Sequence, residues 1–244
     1  PNNAILIVAG DVQPQEVLEL AKVHYGPLEP TPGLGERVRP QEPPQTSARR
    51  LVFEDPRVSQ PYVIRTYLAP ERDPGAQTEA AALMLLSDIL GGNGATSVLG
   101  KKLQFEEQKA IYASAFYQPT NYDDTTFGLV IVPVPGVSLQ EAEDALDAAV
   151  VEFLQEGVDP VQLDRLKLQM RAAEVYAKDS TSGLARRYGA ALTSGLTLQD
   201  IEDWPQIVQN VTEADIIAAA ERVFDLDKSV TGWLTKPAPT EMTQ

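Results

Sequence analysis

Apolar positions divide the chain into an isolated strand-helix pair, a proline-rich stretch and a long folded unit. Ala4-Ile5-Leu6-Ile7-Val8-Ala9 is a continuous apolar run of strand length, ended by Gly10-Asp11. Gln13 to Tyr25 predicts a helix, with Pro14 near its first turn, an apolar stripe of Val17, Leu18, Ala21 and Val23 or His24, and Gly26 as its stop. One strand and one helix cannot enclose a core, so the pair is expected to pack on a domain preceding it in a longer protein; the chain also opens at Pro1 rather than Met. Pro27, Pro30, Pro32, Pro40, Pro43 and Pro44, with Gly33 and Gly35, then rule out a sustained helix or central strand and predict an extended linker.

From Leu51 the pattern becomes that of a folded unit. Short strands are predicted at Leu51 to Glu54 and Tyr62 to Leu68, the second with Tyr62, Ile64, Thr66 and Leu68 on one side. A turn over Pro70 to Pro74 leads into a helix from Ala76 to Leu90, closed by Gly91-Gly92, and a second helix from Ser97 to Glu107. Ile111 to Tyr117 and Phe127 to Val132 predict two paired strands joined through Pro119-Thr120-Asn121. Ser138 and Glu141 form a capping box for a helix reaching about Gln155, with Gly157 beyond it. Asp159-Pro160 opens the next helix as N-cap and first helical residue, and Leu163, Leu166, Met170 and Ala173 follow at helical spacing. Further helices are expected near Gly183 to Leu192 and Thr212 to Val223, and a closing strand at Ser229 to Leu234.

Strands come in pairs and helices in runs. That order predicts an α+β fold, a largely antiparallel sheet with helices on one face, rather than an alternating parallel fold. The expected organisation is a terminal strand and helix of a preceding domain (1–28), a linker (29–50), an α+β domain (51–236) and a short tail (237–244).

Composition narrows the function. The 244 residues are 43% hydrophobic, enough for a substantial core. With 35 acidic against 20 basic residues the net charge is -15, which argues against a general nucleic-acid partner and against docking on anionic lipid. There is no cysteine, hence no disulfide, thiolate metal site or cysteine nucleophile, a composition compatible with a bacterial periplasm or cytoplasm. No apolar run approaches the roughly 20 residues a membrane-spanning helix needs.

Self-contained chemistry is scarce. His24 is the single histidine, whereas a His/carboxylate zinc site usually takes two or three; a surface or packing role is the simpler reading. Gly91-Gly92-Asn93-Gly94 lacks the Gly-Lys-Ser/Thr ending of a phosphate loop and follows a helix, so it reads as a C-cap and turn. The pairs Glu106-Glu107 and Asp123-Asp124 read as solvated carboxylates before an acid-base couple. In Arg186-Arg187-Tyr188 one arginine is expected exposed and the tyrosine buried, with an anion site the sharper alternative. The residues alone point to an α+β domain with no catalytic residue and no metal ligand of its own.

The order of several segments resembles the pitrilysin/insulinase-type zinc metallopeptidases. Pro1-Asn2-Asn3-Ala4-Ile5-Leu6-Ile7-Val8-Ala9-Gly10-Asp11 is similar to the closing strand of that family's N-terminal domain, followed by a helix ending here in Tyr25-Gly26. Asp55-Pro56-Arg57-Val58-Ser59-Gln60-Pro61 resembles the entry to its second domain. Leu90-Gly91-Gly92, Ser97 and Leu103, then Gly195-Leu196-Thr197 and Val211-Thr212-Glu213-Ala214-Asp215-Ile216, resemble later segments. The likeness runs over nearly the whole chain and rests on order and spacing together. It implies a processing-peptidase-like, C-terminal non-catalytic domain. Zinc, held by an H-x-x-E-H motif and a downstream Glu, would lie in the N-terminal domain, and a chamber for unfolded peptide would close between the two. Expected partners are peptide or unfolded protein, that N-terminal domain and a second family subunit.

The sequence departs from the family at two places. Its usual S-R-L reads Ser97-Val98-Leu99 here. The resemblance also implies a substrate-contacting Tyr at Tyr112, preceded seven residues earlier by an Arg, but that position is Phe105. In paired bacterial relatives the zinc-bearing subunit tends to lack this Arg, so by analogy the chain comes from such a subunit. The residues themselves leave Tyr112 equally readable as an aromatic packed on its sheet. Two other readings stand beside a peptidase half: a metal-free helper or scaffold subunit of the same family, and a free-standing peptide-binding module.

Overall fold

A computed structural model of the chain describes residues 1–35 and 43–237. The central part of the predicted linker and nearly all of the predicted tail lie outside these residues. In chain order the elements are α1 (Pro14–Tyr25), β1 (Arg49–Glu54), β2 (Tyr62–Ala69) and α2 (Thr78–Gly91). A π-helix (Gly100–Glu106), β3 (Ala110–Tyr117) and β4 (Thr125–Pro133) come next. Then follow α3 (Leu139–Glu156), α4 (Pro160–Ala177), α5 (Thr181–Thr193), α6 (Leu198–Asn210), α7 (Glu213–Val223) and β5 (Ser229–Thr235). The predicted α+β class holds. The strands form one sheet in the order β1-β5-β2-β4-β3, antiparallel throughout except for β1 beside β5. Among the described residues no helix is long and apolar enough to cross a membrane.

Pairing register assigns each strand residue to a face. Val63 lies between Ile131 and Trp233, and Arg65 between Leu129 and Thr231, so these residues share the helix-covered side. There Val63, Tyr67, Ala69, Phe127, Leu129, Ile131, Ala113 and Ala115 are buried with Leu83, Leu86 and Leu90 of α2 and Leu146 and Phe153 of α3. Phe127 and Tyr67 each meet the Phe224 ring edge-on at 5.4 Å, a geometry favourable to aromatic quadrupoles. Ten of the fourteen residues of α2 are buried, because it lies between the sheet and the outer helices α4, α6 and α7. A helix that is apolar on all sides belongs in such an inner layer.

Local chemistry explains most boundaries. The Ser138/Glu141 capping box forms as predicted, and Thr197/Asp200 and Thr212/Asp215 form two more. Asp159 caps α4 with Pro160 at its first position. Gly157 follows α3 at φ 82°, a backbone region that favours glycine.

Four predictions are corrected. Ala4 to Ala9 pairs with no strand among the described residues, since a strand needs a neighbour for its amides; Ile5, Leu6 and Val8 are exposed. The predicted helix from Ser97 to Glu107 winds largely as a π-helix. Helix α6 was not foreseen: Pro205 breaks the apparent pattern, although Thr197 and Asp200 mark its start. Gly91 is not a C-cap but the last residue of α2, pressed on β3. A Cβ there would lie 1.8 Å from the Ala115 amide nitrogen and 2.5 Å from the Ser114 carbonyl carbon. The Ser114 hydroxyl donates to the Gly91 carbonyl at 2.8 Å, fastening helix to strand.

Candidate peptide-binding face

Among the described residues the helices cover one side of the sheet and leave the other side open. Register places Tyr62, Ile64, Thr66 and Leu68 of β2 there, with Val130 and Val132 of β4 and Leu234 of β5. Leu51 and Phe53 of β1, and Tyr112 and Phe116 of β3, extend the same surface to both edges. Leu51, Phe53, Leu68, Tyr112 and Phe116 are all exposed. Exposed apolar side chains gathered on one sheet face, here interspersed with Thr66, Ser114, Gly128 and Gly232, make that face a candidate interaction surface.

Its geometry is set by small residues. Gly128 stands opposite Phe116, and a Cβ on it would lie 2.0 Å from the Phe116 ring, so the ring lies flat across the neighbouring strand. Tyr112 follows a register shift between Ala110 and Tyr112 and stands opposite Val132. A bulge at this edge strand re-aims the side chains beside it. Phe105 projects from the adjoining π-helix, 61% exposed, and Tyr112 is 50% exposed. Tyr112 is therefore not packed into the sheet's core. At the opposite edge Phe53 and Leu234 border an open hollow of about 470 Å³ that also includes Asp55, Arg57, Val58, Ser59 and Gln60.

The other residues singled out in the sequence lie elsewhere. His24 is exposed in the last turn of α1. Glu107 pairs with Lys109 at 2.9 Å, at the end of the π-helix. Arg187 grips Glu174 at 2.6 Å, Arg186 is exposed, and Tyr188 packs partly buried against Ala191, Leu196 and Ile201. Asp124 lies by Glu71, whose carboxyl is raised chiefly by burial and further by Asp73 and Asp124. Among the described residues no three His, Cys, Asp or Glu side chains gather where a metal ion could sit. The donor set does not fit a zinc centre.

Two buried ionic networks escaped the sequence reading. On the covered face Arg65, only 3% exposed, donates to Glu143 at 2.6 Å, to Asp147 and to Thr231 Oγ1 at 2.9 Å. Arg50 donates twice to the same Glu143 at 2.7 and 2.5 Å, and Trp233 Nε1 donates to it at 2.7 Å. Burial alone would raise the Glu143 carboxyl; the hydrogen bonds from Arg50 and Trp233 and the Arg65 charge outweigh it and hold it below the usual range. The one sequence signal was the charge at Arg65 in phase with Val63 and Tyr67. In the second network buried Arg72 lies 3.9 Å over the Trp204 ring and donates to Gln77 at 2.8 Å and to the Asp200 carbonyl at 3.1 Å. Burial, with Arg187 nearby, pushes Arg72 down to about 10. It fastens α6 beside the end of β2.

The class of protein defined here is an α+β domain with no metal cluster among the described residues and a sheet face carrying exposed apolar side chains. Residues 1–170 match the family described as the peptidase M16 inactive domain, and the chain belongs to that family. It is 28% identical over 240 residues to the zinc protease PqqE of Helicobacter pylori, covering 96% of this chain and 52% of that protein. A crystal structure of a protease from Helicobacter pylori superposes with a TM-score of 0.81 at 25% identity, over 94% of this chain and 54% of that one. The first half of the periplasmic protease PqqL from Escherichia coli shares the fold at 17% identity and a TM-score of 0.77, over 93% of this chain and 50% of that one. The chain thus spans about half the length of the curated relative it matches.

Proposed function

We propose that this chain serves as the C-terminal, non-catalytic half of a zinc metallopeptidase subunit, its open sheet face forming one wall of a chamber that holds extended or unfolded peptide. The observation that carries this reading is the face bearing exposed Phe53, Leu68, Phe116 and Tyr112, uncovered among the described residues, while α2, α3 and α7 pack on the other side of the sheet. Zinc and the water-activating carboxylate belong to an N-terminal domain in this reading, and a protease half of this kind is what the match to PqqE supports. The apolar Ile5, Leu6 and Val8, exposed here, would be covered by that domain. A second family subunit would complete the chamber.

On this face Tyr112 and Phe116 present flat aromatic surfaces beside the edge of β3, where an extended peptide can pair with strand amides while its alternate side chains meet the rings. Tyr112 is the residue expected to touch substrate. Phe105, exposed on the adjoining π-helix, offers apolar area where a guanidinium would offer hydrogen bonds. The test uses the full-length protein with a fluorescent unstructured peptide. Tyr112→Ser combined with Phe116→Ser should raise KM with little change in kcat, the signature of lost uniform binding. An unchanged KM would defeat the assignment of this face. The metal-free helper reading is separated by zinc analysis of the same protein: about one zinc per chain supports the peptidase half, and none supports the helper.

A further inference from the structure

We propose that β1 is a strap that can be released from the sheet as a unit, and that Arg50 is the side-chain clamp that keeps it closed. The proposal stands on the geometry of the strand and does not depend on the function argued above. All six residues of β1 are exposed, and Leu51, Val52 and Phe53 bury neither face. A strand normally earns its place by burying side chains on at least one face, and this one does not. Its backbone pairs with β5 alone, in parallel, the slightly weaker form of pairing.

One side chain reaches inward. Arg50 makes two parallel hydrogen bonds to Glu143 of α3, at 2.7 and 2.5 Å, and its guanidinium lies 4.8 Å over the Trp233 ring. This paired geometry is what favours arginine over lysine. The receiving carboxylate is fixed independently of β1 by Arg65 at 2.6 Å and Trp233 Nε1 at 2.7 Å. Removing Arg50 therefore leaves a socket that still holds itself together: Arg65 keeps Asp147 and Thr231, and Glu143 keeps two donors.

The strap has defined ends. On its N-terminal side Gln45 Nε2 donates to the Ser229 carbonyl at 2.7 Å and to the Ser47 carbonyl at 3.0 Å. On the other side the Asp55 amide donates to the Thr235 carbonyl at 3.0 Å, and Asp55 accepts from Arg57 at 2.6 Å. Between these points the clamp is the only side-chain ion pair that β1 makes across the sheet among the described residues. Lifting β1 turns β5 into the sheet edge and uncovers Trp233.

Hydrogen exchange followed by mass spectrometry on the full chain, with Arg50→Gln and Arg50→Lys beside the unmodified protein, tests the clamp. Arg50→Gln should speed exchange of residues 49–54 by about tenfold or more while β2 and β4 stay as protected as before, the mark of local rather than global opening. Acrylamide quenching of tryptophan emission should rise in parallel. Arg50→Lys, which keeps the charge but loses the paired geometry, should recover only a minor part of the protection. Unchanged exchange at 49–54 in Arg50→Gln would overturn the proposal. So would full protection in Arg50→Lys, or exchange rising equally across β2 and β4, which would make Arg50 a general stability residue.

Discussion

Replacing Glu143 by Gln removes one charge from the buried network and almost no volume. The carboxylate accepts four hydrogen bonds, two from Arg50 and one each from Arg65 and Trp233. A Gln amide turns two donors toward these donors and can satisfy only some of them. Arg50 is half exposed and returns to water, but the Arg65 side chain is 4% exposed and keeps only Asp147, itself 37% exposed, as counter-charge. Breaking one partner of a buried ion pair costs about 3–5 kcal/mol. Because Arg65 retains Asp147, the lower end, about 3 kcal/mol, is expected. Urea unfolding reports it: with a slope near 3 kcal/mol per M for a chain of this size, the midpoint should fall by about 1 M. Trp204 and Trp233 are the two tryptophans, and both lie against these networks, so fluorescence and far-UV circular dichroism should move together. The double variant Arg65→Met with Glu143→Leu should be less damaged than Glu143→Gln, since no unpaired charge stays buried. A midpoint within about 0.2 M of the parent chain for Glu143→Gln would refute the reasoning.

Other outcomes follow from the same geometry. Gly91→Ala should destabilise the domain by roughly 1–3 kcal/mol or more, because the new carbon meets strand backbone that cannot move aside, whereas Gly128→Ala should cost less because it meets the exposed Phe116 ring, which can swing away; equal midpoints for the two variants would contradict this. Hydrogen bonds from Thr197 and Thr212 hold Asp200 and Asp215 below the usual carboxylate range. A depressed folded pKa gives stability that is present above the unfolded value of about 3.9 and is lost as pH falls through the folded one, so the urea midpoint should drop most steeply below about pH 4. Asp200→Asn should flatten that acid slope, and an unchanged slope would count against the capping assignment. Elemental analysis of this chain after dialysis should find no stoichiometric zinc, and about one tightly held zinc per chain would overturn that expectation.

Elements whose chemistry is local were legible in the sequence. The Ser138/Glu141 box, the Asp159-Pro160 start and the paired strands β3 and β4 lie where alternation and capping put them. The α+β class followed from the order of strands and helices. What depends on contacts distant in the chain was not legible. Alternation in β2 offers two faces, and the apolar choice of Tyr62, Ile64 and Leu68 is the open one, while the core side carries Arg65, a charge that only Glu143 and Asp147 make tolerable there. Pro205 hid α6, although a Thr-x-x-Asp cap announced it. Gly91 read as a helix stop because its true demand, closeness to β3, comes from a strand 23 residues further on. Tyr112 is a candidate only through a resemblance; its exposure on an edge strand is a tertiary fact.

The most direct test of the peptide-wall account is equilibrium binding of an unstructured fluorescent peptide to the full-length protein and to its Tyr112→Ser/Phe116→Ser variant. Leu168→Ser, on the outer side of α4 and also exposed, serves as the control. A loss of about tenfold in affinity, near 1.4 kcal/mol, confined to the sheet-face variant is the predicted result. Equal affinity of the sheet-face variant and the unmodified protein, or an equal loss with Leu168→Ser, would contradict the claim that the open face holds substrate.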